Sequence, residues 1–219
     1  MDRLEVIRRN NFLNEEVKIL YTKEERQKVT KSEYKLDTYP SNFFNYIIDI
    51  GASGVLHSWH VNFISIFSPQ TKVIAYEPDD HYHKEIVQEI EKRGIENLTL
   101  YKEFFGDGNN ETKNLPQIFK EHNINPKDRW YFKSDCEGAE KYMLHDIETE
   151  NLLKQCDHMA FEIHHHELPQ NKALDWFYST FSETHKIMNT DQQTNTSTYV
   201  LVSKKMMEEN PDLEINEYF

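Results

Sequence analysis

The chain has 219 residues, of which 37% are hydrophobic, 29% charged and 13% aromatic. This composition excludes a disordered chain and suits one domain with a sizeable core, with or without an appendage. Its 25 Lys+Arg against 38 Asp+Glu give a net charge of −13, which argues against a non-specific nucleic-acid binder and against docking on an anionic membrane.

In chain order, residues 1–40 come first, with nine Lys/Arg and eight Asp/Glu. They read as one or two short polar helices ending at Tyr39-Pro40, a helical arm or cap beside a main domain over 41–219. Met1-Asp2-Arg3-Leu4-Glu5 lacks the apolar core of a signal peptide, and no stretch has the apolar length of a membrane span. Cys136 and Cys156 are too few for a disulfide scaffold or a Cys-rich zinc site. A cytoplasmic protein is expected.

From Asn45 short apolar runs alternate with amphipathic stretches. The runs are Tyr46-Ile47-Ile48-Asp49, Val73-Ile74-Ala75-Tyr76, Leu98-Thr99-Leu100-Tyr101, Trp130-Tyr131-Phe132 and Met159-Ala160-Phe161. Each has strand length and the nearly continuous apolarity of parallel strands covered on both faces. Between them, Leu56, Trp59, Phe63 and Phe67 share one helical face. Tyr82, Ile86 and Ile90 share a second, with Gly94 as its stop, and Ala139, Tyr142, Met143 and Ile147 share a third. The alternation implies βαβ units and a parallel sheet. At the end, His185-Lys186-Ile187-Met188 and Tyr199-Val200-Leu201-Val202 flank a polar stretch, which predicts a terminal antiparallel hairpin.

Asp49-Ile50-Gly51-Ala52-Ser53-Gly54 follows the first strand and opens the first helix. Glycines there let backbone approach a ligand, and a helix N-terminus offers free N–H groups. A dinucleotide fingerprint would need a third glycine, and a phosphate-binding loop a lysine. Asp-x-Gly-x-x-Gly suits a nucleoside better than a pyrophosphate. Glu77 ends the second strand, 23 residues beyond Gly54, where an acid can accept both hydroxyls of a ribose; alternatively it precedes a helix capped by Asp79 or Asp80. Lys133-Ser134-Asp135-Cys136-Glu137-Gly138-Ala139-Glu140 ends the fourth strand, and Phe161-Glu162-Ile163-His164-His165-His166-Glu167 ends the fifth. Open α/β sheets bind ligands at these carboxyl ends.

The glycine turn, Tyr76-Glu77-Pro78, and above all the run Lys133-x-Asp135-x-Glu137-Gly138-Ala139-Glu140 resemble the FkbM-type S-adenosylmethionine-dependent methyltransferases over roughly residues 45–203. Glu162-Ile163-His164 is similar to that family's next strand end. The resemblance implies an α/β fold of class I, a Rossmann-like and mostly parallel seven-stranded sheet. It implies that Asp49, Gly51, Ala52, Ser53, Gly54 and Glu77 hold S-adenosylmethionine, with Phe104 or Phe105 against adenine or in the core. It further implies an O-methyltransferase acting on a small acceptor, a sugar or sugar nucleotide of a surface polysaccharide pathway.

Alcohol methylation needs a general base or a cation that acidifies the hydroxyl. Asp135, Glu162 and His164 come from adjacent strand ends, and Glu162 and His164 point to one side if their strand continues. This O/N donor set suits Mg, Mn or Fe(II). Equally, Asp135 can bind the acceptor or cap a helix, and Glu162 can pair with Lys133. Asp135, Lys133 and His165 are the candidate catalytic residues. Competing readings are an adenosyl-binding regulatory module without turnover, a methyltransferase on another small acceptor, a nucleic-acid methyltransferase and an NAD-dependent enzyme. The last two are disfavoured by charge and by the missing third glycine. The arm leaves a homo-oligomer open.

Overall fold

A computed structural model describes residues 34–53, 68–109, 112–144 and 146–218. The expected helix over Leu56–Phe67, and with it Gly54, His57 and His60, lies outside the described residues, as does the arm before Tyr34.

Nine strands are described: β1 Tyr46–Ile50, β2 Lys72–Tyr76, β3 Leu98–Tyr101, β4 Phe104–Phe105, β5 Thr112–Lys113, β6 Trp130–Ser134, β7 His158–His164, β8 His185–Gln192 and β9 Thr196–Ser203. Seven form one sheet in the order β3-β2-β1-β6-β7-β9-β8, while β4 and β5 pair separately. Strands β3, β2, β1, β6 and β7 are mutually parallel, and β9 runs antiparallel to both β7 and β8. This is the expected mostly parallel α/β sheet ending in an antiparallel hairpin. The last strand of the chain slips in between β7 and β8.

Alternation along each strand sorts the apolar runs onto two faces. Ile48, Ile50, Phe132, Phe161 and Leu201 belong to one core. Ile47, Tyr131, Ala160 and Val202 belong to the other. Helices α2 Leu115–Glu121 and α4 Gln170–Phe181 bury Leu115, Ile118, Trp176, Phe177 and Phe181 in the first core. The second is covered by Tyr34, Leu36, Tyr39 and Phe44, together with Met206 and Ile215 near the C-terminus. Tyr34, Leu36 and Tyr39, read from sequence as part of the end of the arm, are thus built into a sheet-covering core.

Helix α1 Asp80–Arg93 has Asp79 as N-cap, accepting from the N–H groups of His81 and Tyr82, and stops at a left-handed Gly94. The third expected helical face is not one helix. Ala139–Tyr142 is a 3-10 turn, and α3 Ile147–Leu153 starts afresh at its own cap, Asp146. Tyr142 and Ile147 are 47% and 63% exposed while Met143 is buried, so the three do not share a buried stripe. Strand β7 extends through His164, three residues past Phe161, and so carries Glu162 and His164 two apart on one side.

Candidate active site

Immediately after β1 the backbone turns at Gly51, whose φ is +74°. The N–H groups of Gly51 and Ala52 both donate to the Tyr76 carbonyl at 3.0 Å. A Cβ on Gly51 would overlap the carbonyl oxygen of Asp135, so only glycine allows the turn to pass this close to the end of β6. Ser53, also left-handed, donates its N–H to Glu77 Oε2 at 2.6 Å. Asp79 donates its N–H to Glu77 Oε1 at 2.8 Å. Glu77 is buried, and burial raises its carboxyl pKa while these two N–H groups work against the rise. Each oxygen keeps further acceptor capacity for a ligand hydroxyl.

Beneath the turn lies Lys133, with no exposed surface. Its Nζ is 3.2 Å from Asp49 Oδ1 and 3.6 Å from Asp135 Oδ2, and it donates to the Gly51 carbonyl. Burial raises the pKa of the Asp49 carboxyl, and the lysine opposes that rise. A buried ammonium persists only with such compensation. Lys133 therefore ties the glycine turn to the residue on the far side of the site.

On that far side Asp135, Glu162 and His164 each bring a ligand atom within 4.8 Å of the others. Asp135 Oδ1 is 4.0 Å from His164 Nε2, and the exposed Glu137 sets its Oε2 3.3 Å from the same nitrogen. The carboxylates of Asp135 and Glu162 share one phenol: the Tyr34 hydroxyl is 2.8 Å from Glu162 Oε2 and 3.3 Å from Asp135 Oδ2. Two carboxylates and an imidazole at this spacing form a donor set for a hard or borderline divalent cation, and the residues fit one. Glu140, fully buried, accepts from the Cys136 N–H at 2.8 Å and braces the loop from the back; burial raises its carboxyl pKa.

His165 turns to the β8–β9 hairpin instead, with Nε2 at 2.9 Å from Ser197 Oγ and Nδ1 at 3.4 Å from the Thr194 carbonyl. His166 is exposed, its ring 6.1 Å from that of His164. Of the two phenylalanines, Phe105 is core, whereas Phe104 on β4 is 60% exposed. Sequence reasoning missed Tyr34. An isolated aromatic twelve residues before the first strand carries no motif.

No protein-family model matches the chain, and no curated protein matches it. Solved structures do. The precorrin-6y C5,15-methyltransferase of Geobacter metallireducens is similar at 14% identity over 83% of this chain and 88% of that one, with a TM-score of 0.51. The methyltransferase domain of METTL16 is similar at 13% identity over 79% and 65%, with a TM-score of 0.53. The human methyltransferase 10 domain containing protein is similar at 10% identity over 81% of each chain, with a TM-score of 0.50. At these identities the likeness concerns the fold, which is the Rossmann-like fold of class I methyltransferases. No helix among the described residues is long and apolar enough to cross a membrane.

Proposed function

We propose that the protein is an S-adenosylmethionine-dependent O-methyltransferase acting on a hydroxyl of a small acceptor. The observation that carries this reading is the bond from the Ser53 N–H to Glu77 at 2.6 Å, which joins the glycine turn and the acid of β2 at the carboxyl edge of the sheet. That acid and the backbone of Gly51–Ser53 would hold the adenosyl group, with the ribose hydroxyls donating to Glu77. The exposed Phe104 would lie against adenine.

The bound cofactor supplies an electrophilic methyl group, which passes to the acceptor oxygen as the acceptor proton leaves and a neutral thioether departs. The chain's part is alignment and proton handling. Asp135, standing between the turn and the rim, would take the acceptor proton or orient its hydroxyl. Lys133 fixes Asp135 relative to the turn through Asp49 and the Gly51 carbonyl. A divalent cation held by Asp135, Glu162 and His164 would acidify that hydroxyl. The FkbM-type resemblance of the Lys133–Glu140 run supports a sugar or sugar nucleotide as acceptor. The net charge of −13 weighs against a nucleic acid.

Calorimetric titration with S-adenosylhomocysteine, NAD and ATP tests the cofactor, and binding of NAD alone would overturn the assignment. Transfer of labelled methyl across a panel of sugar nucleotides, before and after rigorous chelation, tests the acceptor and the cation. Undiminished turnover without metal would remove the cation from the reading.

A further inference from the structure

We propose that Tyr34 is a positioning residue of the cation site, the phenol that holds the Glu162 carboxylate in place for binding. This rests on the reading of Asp135, Glu162 and His164 as a cation site. Tyr34 precedes the sheet entirely, yet its side chain has no exposed surface and its hydroxyl enters the space between the two carboxylates. Its position is also set by contacts other than these carboxylates. The Tyr131 hydroxyl donates to the Tyr34 carbonyl at 3.2 Å, the ring sits 5.9 Å below Lys133 Nζ, and the side chain packs in the core covering the second sheet face.

A phenol has one proton to give. At 2.8 Å against 3.3 Å, that proton goes to Glu162, while Asp135 takes its charge compensation from Lys133 at 3.6 Å. Each carboxylate of the site thus has its own fixed partner, and only the imidazole of His164 faces neighbouring carboxylates alone, Asp135 and Glu137 at its Nε2 and Glu140 4.0 Å from its Nδ1. Partners of this kind orient metal-binding carboxylates, and their loss weakens metal binding about 10- to 100-fold.

The test is Mn(II) binding followed through the magnetic resonance signal of the free ion, with no turnover required. Tyr34→Phe keeps the ring and its packing. It is expected to bind Mn(II) about 10- to 100-fold more weakly while keeping the wild-type affinity for S-adenosylhomocysteine, and to melt somewhat lower because a hydrogen bond to a carboxylate is lost. Equal or tighter Mn(II) binding in Tyr34→Phe overturns the proposal for Tyr34 alone. Absence of Mn(II) binding in the wild-type protein overturns the cation site itself, and this proposal with it. On the wild-type protein, Mn(II) is also expected to shift the near-ultraviolet absorption of a buried tyrosine, because the acceptor of its hydrogen bond becomes metal-bound. An unchanged spectrum counts against the proposal even if Tyr34→Phe folds poorly.

Discussion

Glu77 and Glu162 are both glutamates at the carboxyl edge of one sheet, yet they are compensated in different ways. Glu77 is buried, and each of its oxygens accepts a backbone N–H, from Ser53 and from Asp79. Glu162 is half-buried and accepts from a phenol that also lies 3.3 Å from Asp135. The first acid is part of the scaffold, tied to the main chain that a cofactor would touch. The second accepts from a side chain and brings an oxygen within 4.8 Å of ligand atoms of Asp135 and His164. Fixed dipoles suit a ligand that binds through neutral hydroxyls, and facing carboxylates suit one that brings positive charge.

The two regions meet at Gly51, and the largest effect is expected there. Gly51→Ala puts a methyl group into the Asp135 carbonyl at a positive φ. Because the obstacle is backbone, the loop must move, and a cost above about 4 kcal/mol is expected. For a chain of this size that is roughly 8–16 °C in melting temperature. A variant melting within a few degrees of wild type would show that turn and rim are not packed as one block.

Lys133→Met comes next. It leaves Asp49 buried beside Asp135 without its ammonium, and breaking such a pair costs about 3–5 kcal/mol. The sign of the pH dependence follows from Asp49. Its folded pKa is already raised by burial and rises further when the lysine goes. A raised folded pKa means that the folded state holds a proton that the unfolded chain releases above about pH 4. The deficit of the variant should therefore shrink as the pH is lowered from 7 toward 4 and grow again as it is raised. Denaturant melts across that range measure it, and a flat deficit would place the ion pair's compensation elsewhere.

Much of this arrangement was legible in the residues. Five apolar runs of strand length and a terminal hairpin predicted the sheet, because strands buried on both faces need nearly continuous apolar sequence. Asp49 to Ser53 and Glu77 could be joined because a βα turn and the next strand end are neighbours in any such sheet. Asp135, Glu162 and His164 could be joined because β6 and β7 are adjacent and strand spacing is two. The failures have physical causes as well. Ala139, Tyr142, Met143 and Ile147 have helical spacing, but Asp146 offers a better cap and restarts the helix, leaving Tyr142 and Ile147 in water. Asn114-Leu115-Pro116-Gln117 is a capping box that announces α2 and went unread. Tyr34 was out of reach, since its partners are 101 and 128 residues away and no local pattern records contacts at that range.

One isosteric change, made at both glutamates, separates the two regions most directly. Glu77→Gln replaces one accepting oxygen with an amide nitrogen, so either Ser53 or Asp79 loses the acceptor of its part-buried N–H. That costs about 1–3 kcal/mol, seen as a lower melting temperature and a weaker affinity for S-adenosylhomocysteine.

Glu162→Gln is expected to have the smallest effect on the metal-free protein, and of opposite sign. The amide oxygen can still accept from Tyr34, and one negative charge facing Asp135 is removed. In the presence of chelator the variant should melt at or slightly above the wild-type temperature, by no more than about 1 kcal/mol of stability. Adding Mn(II) should then reverse the order. The wild-type protein gains stability as the ratio of free metal to its dissociation constant grows, about 2.7 kcal/mol at a hundredfold excess over that constant, whereas Glu162→Gln gains little. If instead Glu162→Gln lost as much stability in chelator as Glu77→Gln does, the carboxylate of Glu162 would be scaffold like that of Glu77. The contrast between an acid tied to the main chain and an acid of the rim would then collapse.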